Sequence, residues 1–165
     1  AAIAAVLLRT MSAEDAYRSL NLPSLVLIAG MLPLASALEA TGGSDLIVQT
    51  LLKVVGDGGA RMMMAALFSL TALLGLILSN TASAVLIAPI AIVAAEKLDI
   101  SPYPLAISVL FAASASFSTP ISTPIVTLVV TPGGYRFADF LKLGGPLTIL
   151  VGLVTVVAGP MLFPF

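Results

Sequence analysis

Ser79-Asn80-Thr81 stands in the middle of a stretch, Met62 to Ala95, that holds no Asp, Glu, Lys or Arg. A second uncharged stretch, Ile100 to Tyr135, is interrupted in the same way by Ser118-Thr119-Pro120-Ile121-Ser122-Thr123-Pro124. Within hydrocarbon no water can answer open N–H and C=O groups. Non-helical backbone survives there only where it is buried in protein or lines a cavity. Two polar breaks in consecutive apolar segments therefore predict a binding site at membrane depth, an arrangement typical of secondary transporters.

Composition supports that setting. The 165 residues are 59% hydrophobic and 9% charged, with a mean hydropathy of +1.16. Soluble domains carry about 25% charged residues, so the chain reads as a polytopic membrane protein. It has no Cys and no His, which removes thiolate chemistry, disulfides and the commonest general base and metal ligand. A net charge of −1 gives no basic field for nucleic acid. No Walker loop, HExxH or Gly-x-Ser-x-Gly pattern is present, and no enzyme is expected. Ala1–Leu8 is apolar but too short for a complete span. It reads as the end of a helix cut from a longer protein; a signal peptide is the alternative, without a basic region before it.

Outward from the two breaks, charge punctuates the chain. Arg9 to Arg18 contains Ser12-Ala13-Glu14-Asp15, a capped and acidic helix start, and predicts a short surface helix. Leu22 to Leu38 forms the first complete span, kinked at Pro33 and closed by Thr41-Gly42-Gly43. In Ser44–Val55 the polar residues Asp45, Gln49 and Lys53 recur every four positions. At about 18 Å it falls short of the roughly 30 Å hydrocarbon core and reads as an interfacial helix. Met62–Leu78 and Ala82–Ala95 read as the arms of a re-entrant hairpin, the second arm being too short to span comfortably; Glu96-Lys97-Leu98-Asp99 is the expected loop. Tyr103–Val130 is one span broken at Ser118–Pro124, and Leu147–Phe163 is the last span. Arg9, Arg18, Arg136 and Lys142 fall on one side of the membrane, and Lys53, Arg61 and Lys97 on the other. The first group is placed on the cytoplasmic side.

At the hairpin tip, open N–H groups and the positive end of the second arm favour an anion. The Ser79 and Thr81 hydroxyls can donate to it, while the Asn80 side-chain oxygen and carbonyls ending the first arm can coordinate a hard cation such as Na+. Equally, Ser79 can simply cap the second arm and Asn80 end the first. At the break, carbonyls near Ser118, Ile121 and Ser122 offer cation ligands, and the Thr119 and Thr123 hydroxyls offer anion donors. The alternative is a proline-kinked helix whose hydroxyls satisfy the kink internally. Ala112, Ser114, Ser116 and Ser118 form small-xxx-small pairs suited to close packing of the hairpin on the broken helix. Met62-Met63-Met64 reads as an ordinary helix start.

Ser79-Asn80-Thr81-Ala82-Ser83-Ala84-Val85-Leu86 resembles the second Ser-Asn-Thr motif of the divalent anion:sodium symporter family, within the ion-transporter superfamily. Ser114–Pro124 followed by Pro132-Gly133-Gly134-Tyr135-Arg136-Phe137-Ala138-Asp139-Phe140 is similar to the same family, and Gly30-Met31-Leu32-Pro33-Leu34 with Ala37-Leu38-Glu39 and Gly42 fits the preceding span. The resemblance covers nearly the whole chain. It implies an all-α membrane protein forming one inverted repeat, the C-terminal half, of an elevator-type transporter in the cell (inner) membrane, with an interfacial helix, a re-entrant hairpin and a broken transmembrane helix. Residues 1–61 would be the end of a helix, one span and the arm helix on the scaffold side. Residues 62–131 would be the hairpin and broken helix of the transport domain. Residues 132–165 would be a loop and the last transmembrane helix.

The implied activity is symport of a small divalent anion, a dicarboxylate or sulfate-like species, with Na+ as coupling ion and no cofactor. Ser79, Asn80, Thr81, Thr123 and Pro124 would line the substrate. The Asn80 side chain and carbonyls near Gly75, Leu78 and Ser122 would hold sodium. The implied partners are the N-terminal inverted repeat of the same permease, the bilayer and a second copy in a homodimer, with no nucleic acid. The chain departs from the family at Gly75-Leu76, where members often carry Thr-Glu, and at Val126, where an Asn is common. An arsenite- or proton-coupled exporter on the same fold, and a non-transporting membrane interaction module, are the alternative functions.

Overall fold

A computed structural model of the chain describes Glu14, residues 22–120 and residues 124–165. Apart from Glu14, which is helical, the expected Arg9–Arg18 surface helix and the Ala1–Leu8 run lie outside the described residues. The described residues are helical and contain no strand: α1 Leu22–Ala40, α2 Gly43–Val55, a short 3-10 turn Gly56–Gly58, α3 Gly59–Leu74, α4 Asn80–Leu98, α5 Pro102–Ser114, α6 Pro124–Gly133 and α7 Phe137–Leu162. The all-α expectation holds.

Each boundary has a local cause. α1 closes where the Thr41 hydroxyl donates to the Ala37 carbonyl at 2.7 Å, and Gly42 then takes a left-handed φ of 74° that favours glycine. α2 keeps Asp45, Gln49 and Lys53 exposed while Ser44 and Val48 are buried, as a four-residue polar spacing dictates. Ser101 precedes Pro102 at the start of α5, where the missing N–H costs nothing.

The core forms where α3, α4 and α5 meet. Val48, Met64, Leu67, Ile87, Leu105 and Val109 lie buried together. Ala91, Ala94 and Ala112 are fully buried and let backbones approach closely, which replaces the hydrophobic drive that lipid does not supply. α5 packs against α3, α4 and α7, and α4 also packs against α1 and α2. Met63 and Met64 are buried in this core and Met62 is exposed, so the methionine run is a helix start.

Three boundaries differ from the sequence reading. α3 stops at Leu74, before Gly75, rather than at Leu78. α4 runs from Asn80 through Leu98, longer than the Ala82–Ala95 arm. The charged end, expected as loop, is helical: Lys97 reaches Asp45 at 2.6 Å and stays in the helix. The helix ends one residue later, at Asp99, with a left-handed φ of 53°. α7 starts at Phe137, ten residues before the expected Leu147. The Arg136 N–H donates to the Asp139 carboxylate at 2.8 Å, so charges read as loop are a helix cap. By length and composition, α4 and α7 are each able to cross a bilayer; 16-residue α3 rises about 24 Å and falls short of the roughly 30 Å core.

Candidate functional site

The chain breaks helix at both polar islands. Between α3 and α4, residues 75–79 leave the helix. The N–H groups of Gly75, Leu76, Ile77 and Leu78 turn back onto carbonyls of Thr71, Leu73 and Leu74, at 2.8 to 3.2 Å. That consumes the last carbonyls of α3 but leaves those of Gly75 and Leu78 without a backbone donor among the described residues.

Across the tip, Ser79 is extended and its hydroxyl accepts the Ala82 N–H at 3.3 Å. The capping reading therefore holds for Ser79, which is also exposed. Thr81 is exposed at the start of α4. Asn80 is half-buried, and its Oδ1 is buried without a hydrogen-bond partner among the described residues. An orphaned buried acceptor costs roughly 1–3 kcal/mol. Oδ1 thus sits where a donor or a cation would be stabilising, directly after a turn whose Gly75 and Leu78 carbonyls accept no backbone donor among the described residues.

The second break begins earlier than its prolines, where α5 ends at Ser114. The Ala115 carbonyl accepts twice: from the Phe117 N–H at 2.8 Å and from the Thr148 hydroxyl of α7 at 2.8 Å. The Ser116 hydroxyl donates to the Ala113 carbonyl at 3.1 Å. Ser118 and Thr119 are buried. Gly144 of α7 lies so close that a Cβ there would overlap the Phe117 carbonyl. The first half of this break is thus satisfied from inside the protein. Ile121, Ser122 and Thr123 lie outside the described residues; Pro124 begins α6. No packing of α6 on another described helix occurs.

Tip and break meet at one point. A Cβ built on Gly75 would stand 2.5 Å from the Ser116 hydroxyl oxygen, so the absent side chain is what admits this approach. On the same face of α5, the Ser108 hydroxyl donates to the Met64 carbonyl at 3.2 Å, and Ala112 is fully buried between them. The Ala112–Ser116 pair therefore does bring the hairpin against the broken helix. Ser114 is exposed.

Depth can be read from α7. Gly144 and Thr148 touch the break at Phe117 and Ala115. From Phe137 to Gly144 the helix rises about 10 Å, and from Thr148 to Leu162 about 21 Å. The break, and the tip turn seated on it, lie alongside the body of α7 rather than at either end.

Two cavities open beside the break. One, about 580 Å³, is lined by apolar faces of α3 and α7 and reaches the break at Ser118. The other, about 310 Å³, lies between Phe117 and the first turns of α7. Neither is lined by Asn80. The sequence reading missed Gly144, Thr148 and Ser108. Small residues at 144, 148 and 152, spaced by four, were the available signal.

Residues 1–165 match the citrate transporter family along their whole length. The chain is 54% identical over 169 residues to a protein of Escherichia coli (strain K12) named uncharacterized transporter YfbS, covering all of this chain and 28% of that relative. It is 38% identical over 141 residues to uncharacterized transporter sll0640 of Synechocystis, covering 86% of this chain and 23% of that protein. It is 29% identical over 160 residues to sodium/sulfate cotransporter 1 of Chlamydomonas reinhardtii, covering 93% and 18%. The chain spans about a quarter of the length of the first two relatives. The resemblance to ion-transporter permeases is borne out: with its helices broken at Asn80 and Ser118 and its apolar length, this chain is a multi-pass membrane protein belonging to the citrate transporter family.

Proposed function

We propose that the chain forms the C-terminal repeat of a sodium-coupled permease for a small divalent anion, dicarboxylate or sulfate-like. What carries the reading is the Asn80 Oδ1, buried and unpartnered at a helix break, with the carbonyls of Gly75 and Leu78 in the turn just before it also open among the described residues. An acceptor-only cluster suits Na+. The adjoining N–H groups of Asn80 and Thr81, with the start of the 19-residue α4 behind them, suit an anion. Sodium held there offsets the cost of carrying a doubly charged anion through low dielectric. That is the physical basis for coupling.

In this reading Ser122, Thr123 and Pro124 complete the site, and an N-terminal repeat supplies the facing half. α2 lies along the interface, and the hairpin is re-entrant, moving with the broken helix against the scaffold. Support for an anion comes from the sodium/sulfate cotransporters among the relatives. The test is uptake of labelled sulfate and succinate by the full permease in proteoliposomes, with sodium and proton gradients imposed separately. Sodium-driven uptake that Asn80→Ala abolishes at normal expression is expected. Uptake driven only by protons would replace symport with proton coupling, and unchanged uptake in Asn80→Ala would end the assignment of this tip.

A further inference from the structure

We propose that Ser83 is a further cation ligand at the hairpin tip, one helical turn beyond Asn80; this rests on the sodium reading of Asn80. Ser83 is 0% exposed, and its Oγ has no hydrogen-bond partner among the described residues. Ser44 Oγ, at the start of α2, is a second unanswered hydroxyl among the described residues, but several other buried hydroxyls are answered. Thr71 donates to the Leu67 carbonyl at 2.7 Å, Ser108 to Met64 at 3.2 Å and Thr155 to Val151 at 2.7 Å. Ser83 could have bonded back to the Ser79 carbonyl, as Thr71 does four residues back on its own helix. Instead that carbonyl takes the Ser83 N–H, at 3.0 Å, and the Ser83 hydroxyl donates to nothing among the described residues.

Position gives the orphan a meaning. Side chains on a helix lean toward its N-terminus. Residues three apart share a face, with Cβ atoms about 5–6 Å apart. Ser83 Oγ therefore leans toward Asn80, whose Oδ1 is the other unpartnered oxygen of this turn. The same side of α4 continues through Ile87, Ile90 and Ala94, all buried, so Ser83 faces the protein and not lipid. α5 follows α4 after the short turn at Asp99–Ser101 and packs against it. Its 13 residues rise about 20 Å, which returns its broken end to the level of the first turns of α4. Ser83, in the first turn of α4, therefore lies within about one turn of the level of the break.

A hydroxyl offers one lone pair to a cation while its proton turns elsewhere. A hard ion bridging Oδ1 and Oγ would satisfy two buried oxygens that otherwise bear a desolvation cost. An anion would not, because Oδ1 can only accept.

The experiment uses the full permease, purified in detergent with no anion substrate, and follows its thermal midpoint against sodium chloride at constant ionic strength. Ser83→Ala and Ser83→Cys are compared with Asn80→Ala and the parent. Cysteine keeps a γ atom where alanine removes it, and its soft sulfur is a poor ligand for a hard ion. Both Ser83 variants are expected to raise the half-saturating sodium concentration about three- to tenfold, that is up to about 1.4 kcal/mol. Sodium half-saturation unchanged in both, with the response lost in Asn80→Ala, would overturn the role of Ser83 and leave the tip reading intact. A parent protein that sodium does not stabilise, or an Asn80→Ala variant that responds normally, would overturn both.

Discussion

The two interruptions look alike in sequence and are treated oppositely by the fold. At the α5 break, the Ala115 carbonyl receives both the Phe117 N–H and the Thr148 hydroxyl. Ser116 answers Ala113, and Gly144 closes over Phe117. At the α3–α4 tip, the Gly75 and Leu78 carbonyls, Asn80 Oδ1 and Ser83 Oγ stay uncommitted among the described residues. A helix can thus be broken for two reasons. The first half of the α5 break is internally completed and acts as a fixed wall. The tip keeps polar capacity in reserve, and reserve at a buried position is retained where something else fills it.

The largest expected effect separates these roles in transport. Asn80→Ala removes the orphaned oxygen, and a bond to a charged partner contributes about 1.5–3 kcal/mol. Sodium-dependent uptake should therefore fall by roughly ten- to a hundredfold or more, with the thermal midpoint of the full permease, measured without sodium, unchanged or slightly raised. A fall in midpoint as large as the transport loss would mean Asn80 is structural and the contrast is wrong.

Next comes a pair of glycines. A Cβ at Gly144 meets the Phe117 backbone, which cannot step aside, whereas a Cβ at Gly75 meets the Ser116 hydroxyl, which can rotate. Gly144→Ala should cost about 1–3 kcal/mol by overpacking, read as a midpoint several degrees lower. Gly75→Ala should cost clearly less and shift sodium dependence more, since it moves a carbonyl of the tip. Equal destabilisation by the two would show that the tip is packed as rigidly as the break.

Much of this was legible in the residues. Charge-free runs located α3, α4 and α5, the Ser-Asn-Thr and Thr-Pro clusters located both interruptions, and the resemblance located the family. What escaped was the difference between the interruptions. Thr148 and Gly144 stand within an apolar run some thirty residues from the break, and nothing local says that they face it. Helix ends escaped for a different reason. Glu96, Lys97, Asp139 and Lys142 read as loop because charge marks water, yet α4 continues to Leu98 and α7 starts at Phe137. A helix leaving the membrane keeps its hydrogen bonds after it has left the hydrocarbon. On that account the charge-free run understates the length of the hairpin's second arm.

Thr148 tests the wall from its other side. Thr148→Val keeps the shape and deletes the donor to the Ala115 carbonyl, which still holds the Phe117 N–H. The expected cost is about 1 kcal/mol, the net value of one hydrogen bond. Thr148→Ser should restore most of it. A loss of transport without loss of midpoint would instead put Thr148 in the ligand site.

The smallest effect belongs to the far end of the hairpin, where Lys97 and Asp45 join α4 to α2. The side chains are 30% and 55% exposed, and exposed pairs couple by about 0–1 kcal/mol. A double-mutant cycle with Asp45→Asn and Lys97→Gln should therefore give a coupling inside that range that fades as salt rises. The pair lies at the opposite end of α4 from Asn80, so sodium half-saturation should be the same in all four proteins of the cycle. If neutralising Asp45 or Lys97 changed sodium affinity as strongly as a tip variant does, ion binding would be sensed along the whole of α4, and the tip could no longer be treated as a local site set against a fixed wall.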